Sequence, residues 1–172
     1  QTLLDFSETG LLSHARGFEF RPEQQQMAVA VAETLEAETA LLAEAGTGVG
    51  KSLAYLIPSI RFALERGRKA IISTHTINLQ EQLFHKDIPT VAKALNCHFD
   101  AALLKGRANY LCRTRLRRAM EQADDLFNQA ETRQLYDLLA WSKDCGEGSL
   151  AELPHELSIS PKVWAQVCSE NH

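Results

Sequence analysis

Ala45-Gly46-Thr47-Gly48-Val49-Gly50-Lys51-Ser52 is the stretch on which the reading of this chain turns. A short apolar run, Ala40 to Ala43, leads into it, and an apolar-periodic run, Leu53 to Leu64, leads out. Strand, glycine loop and helix form the context that a phosphate-binding loop needs. Glycines let consecutive backbone N–H groups turn toward one anion. The helix that follows adds the positive end of its dipole. In such a loop Lys51 reaches the β- and γ-phosphates of a nucleoside triphosphate such as ATP, and the Ser52 hydroxyl holds Mg²⁺. Ala45 stands where most such loops have their first glycine. The octapeptide alone therefore also fits a glycine-rich turn with no ligand.

The composition bounds the rest. The 172 residues predict one domain, or a domain plus an insertion. A chain 45% hydrophobic and 23% charged can bury a core. The net charge of −4 argues against a general polyanion binder, so any nucleic-acid contact must come from a local patch. No apolar run is long enough to span a bilayer and no signal peptide opens the chain, which predicts a cytoplasmic protein with no membrane partner. Cys97, Cys112, Cys145 and Cys168 are widely spaced and read as free thiols or metal ligands rather than disulfides. A start at Gln1 rather than Met suggests a processed or excised piece.

Around the loop the pattern is α/β. The opening residues carry scattered apolar positions, among them Phe6, Leu12 and Phe18. A helix is predicted from Pro22, with Met27, Ala30, Val31, Thr34 and Leu35 on one face. Ala40 to Glu44 reads as a buried strand. The helix after the loop is expected to kink at Pro58 and stop at Gly67. Ala70 to Thr74 reads as a second strand. Helical spacing follows to a break at Pro89, then a short helix from Thr90 to Leu95 and a third strand near Ala101 to Leu104. Strands separated by helix-length segments imply a parallel sheet. From residue 106 to 172 no strand is evident. Cys112, Leu116, Ala119 and Met120 share one helical face, and Leu135, Leu138 and Leu139 another. A loop is expected from Lys143 to Pro161, with Ser160-Pro161 opening a last helix.

Four segments stand in a telling order: Arg21-Pro22-Glu23-Gln24, the glycine loop, Ser73-Thr74-His75-Thr76-Ile77-Asn78-Leu79-Gln80-Glu81-Gln82-Leu83, and Leu104-Lys105-Gly106-Arg107-Ala108-Asn109-Tyr110-Leu111-Cys112. Together they resemble the N-terminal part of the DinG/XPD family of superfamily 2 DNA helicases, over nearly the whole chain. The family resembles this chain at Ala45 as well. The resemblance implies a partial RecA-like P-loop domain over residues 1–105, followed by the start of a helical iron–sulfur insertion over 106–172.

It also implies roles. Gln24 would read adenine, for which an amide that both donates and accepts is suited; Gln25 and Gln26 are its neighbours, and a solvated glutamine on a first helical turn is the plainer alternative. Ser73 to Leu83 would touch single-stranded DNA, with Thr74 and Thr76 suited to phosphate contact. His75 has no second ligand near it and reads as structural rather than catalytic. Lys105, Arg107, Arg113, Arg115, Arg117 and Arg118 form the main basic cluster, with Tyr110 as a base-stacking aromatic; the alternative is a solvated face paired with Glu121, Asp124 and Asp125. Cys112 would be the first of four thiolates on a 4Fe–4S cluster, or else a small buried cysteine. Only Cys168 lies near the region where the other ligands belong. The chain, ending at His172, is not expected to hold such a cluster alone. A zinc site from Cys97, His98, Cys145 and Cys168 lacks the usual paired spacing.

Hydrolysis also needs a Walker B acidic pair and an arginine. No Asp-Glu-x-His follows an apolar strand, and Asp124-Asp125 sits in a polar helical stretch. The resemblance implies that the chain is the N-terminal part of an ATP-dependent, 5′–3′ DNA helicase acting in repair or replication, and the missing acidic pair leads to the expectation that the chain alone binds nucleotide weakly and does not unwind DNA. Another P-loop enzyme, such as a nucleotide kinase, and a non-catalytic nucleic-acid-binding module are the alternatives.

Overall fold

The structure, a computed structural model, describes residues 1–14 and 19–170. Phe18 and His172 lie outside them. The chain divides into two compact units, Gln1–Leu103 and Leu104–His172.

The first unit is built from α1 (Thr2–Asp5), α2 (Pro22–Ala37), α3 (Lys51–Arg66), α4 (Ile77–Gln82) and α5 (Ile88–Leu95). Pro22 sits in the first turn of α2, where its missing N–H would have had no intrahelical partner. Helix α3 starts from Gly50 and ends at Gly67, both left-handed, with Pro58 inside it. Its apolar face, Ala54, Leu56, Ile57 and Ile60, packs with Ala28 of α2 and with Phe6, Leu12, Leu83 and Val91. Arg61 of α3 lies 3.0 Å from the buried Asp5 carboxylate and ties α1 to this core.

The expected break at Pro89 is instead a change of helix type. A π-helical turn, Leu83–Asp87, joins α4 to α5, and Pro89 falls in the first turn of α5. The Ile88 N–H reaches back to the Leu83 carbonyl, an i→i−5 bond. The wider turn carries the chain past the N–H that proline lacks.

The three expected strands are not paired with one another in the structure. Ala40 to Glu44, Ala70 to Thr74 and Ala101 to Leu104 lie outside every helix, but no β-ladder joins them among the described residues. A parallel sheet requires its strands to be paired along their edges and covered on both faces. Helices cover only part of these segments: Ile72 packs against the core, whereas Leu42 is 100% exposed, Ile71 93% and Leu104 79%.

The second unit holds α6 (Arg113–Glu121), α7 (Ala123–Leu126), α8 (Gln129–Asp144) and α9 (Pro161–Val167). Helix α8 opens on a capping box in which Asn128 and Glu131 bond each other's backbone N–H. It ends at Asp144, and the segment beyond carries a 3₁₀ turn, Leu150–Glu152, within the expected loop. Ser160 accepts from the Val163 N–H to open α9. The core joins Leu116, Ala119, Leu135 and Leu138 to Val163, Trp164 and Val167. Isolated antiparallel bridges pair Tyr110 with Ser149 and Leu111 with Cys168.

Candidate functional site

The glycine loop leads directly into α3. Gly48 and Gly50 have φ of 83° and 82°, backbone that glycine adopts without the steric cost other residues meet. Gly50 has a further constraint: a Cβ there would lie 2.2 Å from Gln24 Nε2. Above Gly46 and Gly48 the space is open, with no atom within 4 Å of an added Cβ. The N-terminal N–H groups of α3 and this open loop surface fit an oxyanion of triphosphate type. Lys51 Nζ folds over the loop, donating to the Ala45 carbonyl at 2.8 Å and the Gly46 carbonyl at 2.6 Å. Ser52 lies one residue along, in contact with Tyr55, whose hydroxyl burial pushes above the ordinary tyrosine range. Thr47 is exposed and Val49 half-buried on the loop.

Helix α2 holds the loop from one side. The Gln24 amide donates to the Gly50 carbonyl at 2.9 Å, and Arg21 donates to the Gly48 carbonyl. Gln24 is only 4% exposed, so the solvated-glutamine alternative does not hold. The roles of Arg21 and Tyr55 escaped the sequence reading. Arg21 stands just before the Pro22 helix start, and Tyr55 lies three residues after Ser52 on the same helical face, which are the signals that were available.

At the expected DNA segment, Thr76 caps α4, its hydroxyl accepting from the Leu79 N–H at 3.3 Å. Thr74 donates to the Thr76 carbonyl at 3.1 Å, and His75 is exposed.

In the second unit the basic cluster splits. Arg113 donates to the Ser142 carbonyl at 2.7 Å. Arg115 donates to the carbonyls of Gln166, Glu170 and Ala165 at 3.1, 2.8 and 3.2 Å. These two guanidiniums therefore gather backbone carbonyls toward the ends of α8 and α9. Arg107, Arg117 and Arg118 are exposed. The Tyr110 hydroxyl accepts from the Lys105 N–H at 2.9 Å, so its ring is held half-buried against the loop before α6.

Cys112 caps α6, and its N–H donates to the Val167 carbonyl at 2.8 Å. It thus lies on a backbone stretch beside that of Cys168, which is 1% exposed. Among the described residues no three His, Cys, Asp or Glu side chains converge to hold a metal ion. The described residues by themselves bring together neither four thiolates nor the Cys97, His98, Cys145 and Cys168 set of a zinc site. No helix among them is long and apolar enough to cross a membrane.

The sequence model of DEAD/DEAH box helicases matches residues 21–132, from the arginine that holds the glycine loop through helices α6 and α7. The chain belongs to the DEAD/DEAH box helicase family. Its loop and α3 therefore belong to a RecA-like P-loop fold. It is 43% identical over 159 residues to the ATP-dependent DNA helicase YoaA of Haemophilus influenzae, covering 92% of the chain and 24% of that protein. It is 40% identical over 168 residues to the Escherichia coli protein of the same name, covering 97% and 26%. Its identity to the ATP-dependent helicase DinG of Mycobacterium tuberculosis is 36% over 163 residues, covering 86% and 24%. The chain thus spans about a quarter of the length of these curated relatives.

Proposed function

We propose that this chain is the nucleotide-binding part of an ATP-dependent DNA helicase that couples hydrolysis to movement along single-stranded DNA. The observation that carries the reading is the loop itself. Gly48 and Gly50 are left-handed, Lys51 closes over the loop, and Gln24 and Arg21 hold it from α2. Gly46, Thr47, Gly48, Val49 and Gly50 would present backbone N–H groups to the phosphates of ATP, with Ala45 at the loop's entry. Lys51 would pair with the β- and γ-phosphates, and Ser52 would hold Mg²⁺. Gln24 would lie at the adenine side. Thr74, Thr76, Lys105, Arg107 and Tyr110 would meet single-stranded DNA, at phosphates and by stacking.

By resemblance the parent helicase moves 5′ to 3′, works in the cytoplasm in repair or replication, and carries Cys112 as a ligand of a 4Fe–4S cluster. Residues 1–105 would belong to its ATP-binding domain and residues 106–172 to the insertion. The exposed Leu42, Ile71 and Leu104 support a sheet in which Ala40 to Glu44, Ala70 to Thr74 and Ala101 to Leu104 are strands, since such apolar side chains gain by cover on both faces.

The test is a binding titration of the isolated chain with a fluorescent ATP analogue and Mg²⁺, beside an ATPase assay with and without single-stranded DNA. Weak saturable binding and no DNA-stimulated turnover are expected. Robust DNA-stimulated turnover by the isolated chain would contradict the division of labour proposed here.

A further inference from the structure

Helices α6 and α8 of the second unit leave an open cleft of about 510 Å³ along their line of contact. Its floor is apolar: Leu116 and Met120 of α6 and Leu139 of α8. Its rim is cationic: Arg113 and Arg117 on one wall, Lys143 on the other, against the single carboxylate of Glu121. This excess of positive charge sits in a chain whose net charge is −4. Arg113 is fixed in place by its bond to the Ser142 carbonyl. Arg117 and Lys143 are exposed, and neither makes a hydrogen bond or ion pair to another described residue.

We propose that the cleft between α6 and α8 is a docking groove for an acidic amphipathic segment of a partner protein. An apolar side chain of that segment would enter between Met120 and Leu139, and its carboxylates would meet Arg117 and Lys143. Two features favour a peptide over single-stranded DNA. No aromatic side chain lines the cleft, so a base has no ring on which to stack. The floor is aliphatic and thioether, the surface that takes up leucine-like anchors from an amphipathic helix. The two helices already pack against each other and against α9, and a further helix laid in their open groove would extend this packing to four helices. The groove is independent of the nucleotide loop, so this assignment stands or falls apart from the helicase reading.

The test uses the full chain and three fluorescein-labelled probes followed by anisotropy. The first is a helical peptide of Glu and Leu with Leu at i, i+3, i+4 and i+7. The second has each Leu replaced by Ser, and the third is an oligo-dT of similar charge. The first peptide is expected to bind, the second at least about tenfold more weakly. The double variant R117E/K143E should weaken the first peptide by at least about tenfold, because both rim attractions become repulsions. Circular dichroism and binding of the fluorescent ATP analogue should be unchanged, since both side chains are exposed. Equal binding of the Leu and Ser peptides, or undiminished peptide binding by R117E/K143E, would overturn the proposal. So would loss of oligo-dT binding in that variant with no peptide binding by the parent chain, which would make the cleft a nucleic-acid surface.

Discussion

Gln24 Nε2 and the Gly50 carbonyl are 2.9 Å apart, and the Cβ that any other residue would place at position 50 falls 2.2 Å from the same nitrogen. The buried amide and the missing side chain are thus two halves of one contact. It fixes the start of α3 against α2, and with it the direction in which the loop's N–H groups open.

Gly50→Ala should therefore be worse than Gly67→Ala. Both positions are left-handed, at φ 82° and 61°, and each loses about 1–2 kcal/mol for that backbone alone. Only Gly50 also meets a side chain, while Gly67 has open space. Urea denaturation should rank Gly50→Ala as the less stable. Only Gly50→Ala should weaken the ATP analogue, and equal effects at both glycines would deny the Gln24 contact.

The Asp5–Arg61 pair sets a second expectation. Asp5 is 2% exposed, while the Arg61 side chain keeps 25% of its surface in water. Asp5→Ala leaves a partly buried guanidinium without its carboxylate. It should cost about 2–3 kcal/mol, less than a fully buried pair because Arg61 is part-solvated. Asp5→Ala with Arg61→Met should recover part of that loss. A double variant no more stable than Asp5→Ala would place the effect elsewhere.

Arg115 reaches across 50 to 55 residues of sequence to three backbone carbonyls around the end of α9. Arg115→Ala should release that end. Hydrogen exchange should then quicken at the Cys112 and Ser169 N–H groups, which bond to Val167 and Tyr110. Arg115→Lys should rescue little, because one ammonium cannot reproduce the guanidinium fork. Unchanged exchange at both amides would reduce Arg115 to a surface contact.

These contacts also mark what sequence reveals. The starts of α2 and α9 were legible because Arg21-Pro22 and Ser160-Pro161 are local signals, set by proline's φ and serine's capping oxygen. The glycine loop was legible for the same reason. Arg115 was read as part of a basic cluster, because nothing in Arg113-Thr114-Arg115 announces carbonyls some fifty residues away. The π turn before Pro89 was missed because a proline in a helical pattern reads as a break when only i→i−4 bonds are considered. Ala70 to Thr74 reads as a strand from its own residues, yet a ladder depends on neighbours that a single segment does not supply.

Acid should act on the start of α8. The Lys162 ammonium, then the Asn128 N–H, hold the Glu131 carboxyl below its ordinary range. Its folded-state pKa lies under the unfolded one, so its stabilisation is present above the ordinary carboxylate range and fades as pH falls through the lowered value. Glu131→Gln should be less stable than the parent at roughly pH 7, with the gap closing as pH falls below the ordinary carboxylate range. A gap that persists undiminished in acid would exclude Glu131 ionisation as its cause.

The central claim is that this loop feeds ATP to a DNA-driven motor. Its most direct test is single-stranded-DNA-stimulated ATP hydrolysis by the full helicase containing this chain, with and without Lys51→Ala. The account predicts a fall of at least about a hundredfold, since a charge aimed at the transferring phosphate is removed, with DNA binding retained. Turnover that survives Lys51→Ala unchanged would contradict it.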